Sequence, residues 1–139
     1  NIGGIIGYGG SDSFAINCYT TTATVVSGGT YGGAVGYVKK SNLQNIYGNS
    51  AVGAAVGGEK NTGSNVPSVW PTQTSRALTS GEMMSGSVSV PSNNTEYGSF
   101  VEALNAGVDI FNSATFSQKP EGVVLRRWKS SGTYPVLAD

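Results

Sequence analysis

The phrase IGGIIGY at residues 2–8 returns at residues 31–37 as YGGAVGY. Gly3, Gly4, Gly7 and Tyr8 fall on Gly32, Gly33, Gly36 and Tyr37 at an offset of 29 residues, four identities in seven positions. A second phrase, INCY at residues 16–19, returns as QNIY at residues 44–47 with an offset of 28, setting Asn17 on Asn45, Cys18 on Ile46 and Tyr19 on Tyr47. A one-residue change of spacing is what an insertion in a connecting loop produces. Self-similarity at a period of about 20 to 50 residues constrains a fold strongly, because each unit buries its apolar face only against its neighbours. The same glycines could instead cradle a phosphate. That reading needs a strand-turn-helix context, and no Walker lysine or long helical pattern follows Gly3, Gly4 and Gly7 or the run from Gly28 and Gly29 to Gly33.

Within one unit, FAINCYTTTATVV at residues 14–26 is rich in Thr, Val, Ile and aromatics with partial alternation, the pattern of a half-buried strand. SGGT at residues 27–30 supplies a turn. Cys18 and Ile46 in one slot predict an inward apolar row, in which a buried cysteine behaves as a small hydrophobe. Tyr19 and Tyr47 then align on the opposite face. After Tyr47 the pattern decays: residues 48–76 hold one short Gly/Ala/Val strand and then a polar stretch with Pro67 and Pro71, a last partial unit followed by a long edge loop. A helix follows. Ser99 and Glu102 fit a capping box, Phe100, Val101, Leu104 and Val108 share a face, and Gly107 suits the helix C-terminus. Residues 122–129 and 133–139, separated by Ser130, Ser131 and Gly132, form a closing hairpin. The expected architecture is mainly β: a short parallel β-helix or solenoid-like repeat stack over residues 1–76, with a small α+β cap over residues 77–139 that covers its open edge and packs with it as one domain.

Charge and residue inventory remove several functions. Charged residues make up 12% of the 139, against roughly a quarter in an average soluble domain, and the formal net charge is zero, so nucleic acid is not an expected partner. There is no histidine, and the lone Cys18 has no internal disulfide partner. Zinc sites of the Cys/His kind and Ser-His-Asp or Cys-His triads are thereby excluded, and no metal or cofactor is expected. No run reaches the ~18 apolar residues of a membrane span. No basic segment precedes an apolar one as in a signal peptide. The chain begins inside a repeat, so it reads as the C-terminal piece of a longer protein.

Gly3-Gly4-Ile5-Ile6-Gly7-Tyr8 with Asn17-Cys18-Tyr19, and Gly32-Gly33-Ala34-Val35-Gly36-Tyr37 with Asn45-Ile46-Tyr47, resemble the GLUG-motif repeats. Units of that family carry a Gly-Gly-hydrophobic-hydrophobic-Gly-Tyr phrase and then Asn-Cys-Tyr. The resemblance covers roughly the first third of the chain, and its second unit has Ile46 where the family has cysteine. ALTSGEMMSGS at residues 77–87, FVEALN at 100–105 and YPVL at 134–137 resemble, more loosely, the tail that follows the last such repeat. The resemblance implies a right-handed parallel β-helix-like stack in a bacterial secreted or surface protein, often adhesin-like. It brings no catalytic residue.

Candidate ligand-binding residues are Tyr8, Tyr19, Tyr37 and Tyr47, which would form aromatic columns where units align. Aromatic faces bind sugars and protein partners, and they also stabilise sheets. Glu82, Glu96, Glu102, Asp109 and Glu121 could furnish a carboxylate pair for glycoside cleavage, yet their spacing singles out none. A deep groove holding two carboxylates, or one beside Arg76 or Lys60, would support that chemistry. RRWK at residues 126–129 mixes basic and aromatic groups as single-strand binders do, but one such tetrapeptide in a neutral chain fits an exposed strand with Trp128 turned inward. The expectation is a non-enzymatic secreted or cell-surface interaction module with a protein or carbohydrate ligand. The alternative is a polysaccharide-active β-helix fragment that uses carboxylates.

Overall fold

The computed structural model describes residues 2–10, 14–24, 28–39, 42–60, 75–90, 95–115, 119 and 121–139. Its elements are β1 (Ile2–Gly3), β2 (Ile6–Gly9), β3 (Phe14–Tyr19), β4 (Tyr31–Gly32), β5 (Val35–Lys39), β6 (Asn42–Asn49), β7 (Val56–Lys60), β8 (Ser75–Leu78), α1 (Ser80–Ser85), β9 (Val88–Val90), β10 (Thr95–Tyr97), α2 (Phe100–Ser113), β11 (Trp128–Lys129) and β12 (Val136–Leu137). The repeated phrases pair with each other in parallel. Strand β1 lies on β4 with Gly3 opposite Gly32, and β2 lies on β5 with Tyr8 opposite Tyr37. Strand β3 lies on β6 with Cys18 opposite Ile46 and Tyr19 opposite Tyr47. Strands β7 and β8 add a third member to the β2–β5 and β3–β6 sheets.

The expected mainly β solenoid, with its right-handed stack, is nevertheless corrected. The fold is mixed α/β, with 40% strand and 19% helix, and its sheets are small, two or three strands each, none closed or solenoid-like. The sequence holds only two clear copies of the phrase, and among the described residues the rows end at β7 and β8. The apolar side chains beyond them are covered by helices and antiparallel pairs instead.

The doubled glycines mark a corner. A Cβ at Gly32 would sit 2.2 Å from the Val35 carbonyl oxygen and 2.4 Å from the Gly57 nitrogen, and one at Gly3 would meet the Ile6 carbonyl equally closely. Only glycine lets the backbone fold back that tightly between β4 and β5. The asparagines solve a second problem. Leu43 and Ile46, three residues apart, both enter one core, which a strand with a two-residue side-chain period cannot do. Asn45 between them takes φ 58°, and Asn17 in the matching slot takes φ 53°. Asparagine tolerates this left-handed geometry better than most residues, and the kink resets the alternation.

Two apolar clusters result. One joins Ala34, Val35 and Val38 of the β5 region to Ala15, Leu43 and Ile46. The other lies across the β3–β6–β8 sheet, where Tyr47 and Leu78 meet Met83 of α1, Val88, and Phe100, Ala103 and Leu104 of α2. Adjacent residues Ile46 and Tyr47 therefore serve opposite faces.

Helix α2 forms as expected from its spacing, burying Phe100, Ala103, Leu104, Gly107, Val108 and Phe111. Ser99 caps it by accepting from the Glu102 N–H, while the Glu102 carboxylate reaches the Gly98 N–H at 2.8 Å. The full capping box belongs to α1, through Thr79 and Glu82. Gly107 is not a helix end. It lies inside α2, where a Cβ would fall 2.3 Å from Asn45 Nδ2 and 2.6 Å from Asn17 Oδ1. Lys119 closes α2 instead, its Nζ donating to the carbonyls of Phe111, Asn112 and Ala114 and lying 4.8 Å over the Phe111 ring. The C-terminal hairpin pairs Trp128 with Leu137 and Lys129 with Val136, a shorter ladder than residues 122–129 predicted. The strand expected over residues 14–26 stops at Tyr19. The edge loop expected before residue 76 falls largely on residues 61–74, outside the described residues.

Candidate functional site

The four candidate tyrosines divide into two unlike pairs. Tyr8 and Tyr37 stack with ring centroids 5.9 Å apart and planes 5° from parallel. Tyr8 is 53% exposed and Tyr37 half-buried, and Gly58 continues their row across β7. Tyr19 and Tyr47 both pack against α2, each edge-on to Phe100 at 5.2 and 4.9 Å. Tyr47 is 1% exposed and belongs to the core; it is not on a ligand-facing column. Its hydroxyl donates to Asn45 Oδ1 at 2.6 Å, and burial raises its phenol well above the ordinary range. Tyr19 donates to the Pro135 carbonyl, and burial, aided by Tyr134, raises its phenol too.

Tyr19 also lines a groove of about 480 Å³ between β3 and the C-terminal hairpin. Ile5, Cys18, Val124, Leu125, Trp128 and Leu137 make its apolar walls, with Asn17 and Arg126 its polar lining. The Cys18 Sγ donates to the Ile16 carbonyl at 3.1 Å, and burial pushes the thiol up, against ready thiolate chemistry. Arg126 is tied to the Ala138 carbonyl. Neither Val124, 72% exposed, nor Leu137 carries a sequence pattern that would have marked this groove. Asn17 did carry one, its recurrence at Asn45.

The carboxylates stand apart. Glu82 caps α1 and lies 3.7 Å from Arg76, whose other nitrogen donates to the Ser89 carbonyl. Glu102 caps the start of α2. Asp109 pairs with Arg127, the second arginine of RRWK, at 2.5 Å. Glu96 and Glu121 are exposed, and none of the five lines the β3 groove. The side chain of Lys60 lies outside the described residues. Trp128 turns inward as expected, against the α2 cluster and 5.4 Å from Tyr19. No helix among the described residues is long and apolar enough to cross a membrane.

Comparisons of this chain with protein-family models, curated proteins and solved structures find no match.

Proposed function

We propose that this chain is a non-enzymatic interaction module of a secreted or cell-surface bacterial protein, and that it binds carbohydrate through the Tyr8–Tyr37 row. The observation that carries this is the exposed parallel ring pair. Tyr8 leaves about half of its surface in water although a stacking partner and a sheet lie beneath it. Tyr8 ends the stack on the edge strand of its sheet, so the ring face turned away from Tyr37 is a platform on which a ring-shaped ligand can lay its apolar face while its polar groups reach the phenols. The likeness of residues 2–8 and 31–37 to GLUG repeats supports the surface setting. The engagement of Glu82, Glu102 and Asp109 in caps and an ion pair argues for binding over cleavage.

The test is affinity electrophoresis of the folded chain through gels containing soluble polysaccharides, with Tyr8→Ala and Tyr37→Ala together as the variant. Retardation should fall by one to two orders of magnitude in the binding constant, since stacking on one aromatic ring is worth about 1–3 kcal/mol. Unchanged retardation in a folded variant, or release of reducing ends by the native chain, would overturn the reading.

A further inference from the structure

We propose that the outer edge of β3 is a docking site for an extended peptide strand that carries an Asn-apolar-Tyr phrase and pairs parallel to β3. The inference is independent of the tyrosine row on β2 and β5. Strand β3 ends its sheet, with β6 on its only paired side among the described residues. A sheet edge offers backbone donors and acceptors to an added strand.

The choice of occupant comes from the asparagine row. Tyr47 Oη donates to Asn45 Oδ1 at 2.6 Å, and Asn45 Nδ2 donates to Asn17 Oδ1 at 2.8 Å. Asn17 is only 5% exposed, and its own Nδ2 makes no hydrogen bond among the described residues. The row therefore stops at an amide donor that opens onto the groove. The group that meets Asn17 Oδ1 from the other side is another asparagine, Asn45, and the same group would suit Asn17 Nδ2.

The β3–β6 pair shows the geometry that the next strand would copy. Both asparagines share a left-handed backbone, and each is followed by an apolar residue and a tyrosine in register. An incoming strand with the same phrase would bring its carboxamide oxygen to Asn17 Nδ2. Its next residue would fall in the Cys18 row, and its tyrosine beside Tyr19. The apolar side chains left exposed around the groove, Ile5, Val124 and Leu137, are those such a strand would cover. A compact small molecule would satisfy the amide without pairing the strand edge.

The probe is a synthetic octapeptide copying residues 42–49, NLQNIYGN, added to the isotope-labelled full chain. A control peptide has leucine in the place of Asn45. Saturable shifts are expected at the backbone amides of residues 16–19 and at the Asn17 side-chain amide. The control should bind about tenfold more weakly, the value of one buried hydrogen bond. Asn17→Asp keeps the acceptor for Asn45 and tolerates the positive φ, but removes the donor, so it should bind both peptides alike. Absence of shifts, shifts confined to the Tyr8–Tyr37 face, or equal affinity of the native chain for both peptides would overturn the proposal. Concentration-dependent self-association moving the same amides without peptide would also overturn it, in favour of a second copy. The peptide comparison stands even where Asn17→Asp fails to fold.

Discussion

Alanine at position 107 should weaken the fold even though alanine is the better helix former. Its Cβ would lie 2.3 Å from Asn45 Nδ2, 2.6 Å from Asn17 Oδ1 and 3.2 Å from Asn45 Cγ. Both asparagines are buried, held at positive φ and bonded to each other, so neither can swing away without breaking their contact. Helix propensity favours the change by about 1 kcal/mol. Overpacking a tight contact costs about 1–3 kcal/mol, and parting the asparagine pair leaves a buried polar atom unmet for about 1–3 kcal/mol more. The net loss is about 1–5 kcal/mol. In urea, with an m-value of about 2 kcal/mol per molar, the midpoint should fall by about 0.5–2.5 M, followed by tryptophan fluorescence and circular dichroism. Ala106→Gly, one position back and half-buried, is the control and should cost only about 1 kcal/mol. A Gly107→Ala protein as stable as the native chain would show that α2 does not press on the asparagine pair.

Tyr47 sets an alkaline limit. Its phenol is raised by burial, so the unfolded chain releases this proton first. Stability is therefore full below the ordinary tyrosine range near pH ~10 and is lost as pH climbs beyond it, by up to about 1.4 kcal/mol per pH unit. Tyr47→Phe should cost about 1 kcal/mol at neutral pH, because Asn45 loses a donor, yet flatten that decline; denaturation curves from pH 7 to 11.5 that fall in parallel for both proteins would contradict this. Gln44 is fully buried with neither amide atom bonded among the described residues, so Gln44→Met should raise stability by about 1–2 kcal/mol, and a lower melting temperature would refute it.

Strand pairing was the most legible part of the fold, because the two phrases carry the same corner glycines and the same asparagine before an apolar residue and a tyrosine. Those residues specify a backbone, and equal backbones align. What they do not specify is how many further strands follow, and the expected stack failed on that point. Helix α2 was legible through Ser99 and its apolar spacing, but Gly107 was misplaced as its end. A glycine that stops a helix and one that admits a neighbour look alike until the neighbour, Asn45, is known. The tyrosines show the same limit. Tyr8 and Tyr47 each close a repeated phrase, and neither phrase says which tyrosine is covered; the docking of Phe100, more than fifty residues beyond Tyr47, makes Tyr47 core while Tyr8 stays on the surface.

The parallel ladders also tell how such a chain can change length. Gly9 stands opposite Val38 and Phe14 opposite Asn42, so one more residue joins β2 to β3 than joins β5 to β6. Both ladders keep their register across that difference. An insertion or deletion at this joint is silent to the pairing, whereas one inside β3 would carry Asn17 off Asn45 and turn Cys18 to the wrong face. Units built this way can drift apart in length while their strands stay aligned. Internal symmetry then erodes in sequence faster than in space, and a search that assumes one fixed period loses sight of copies that still touch.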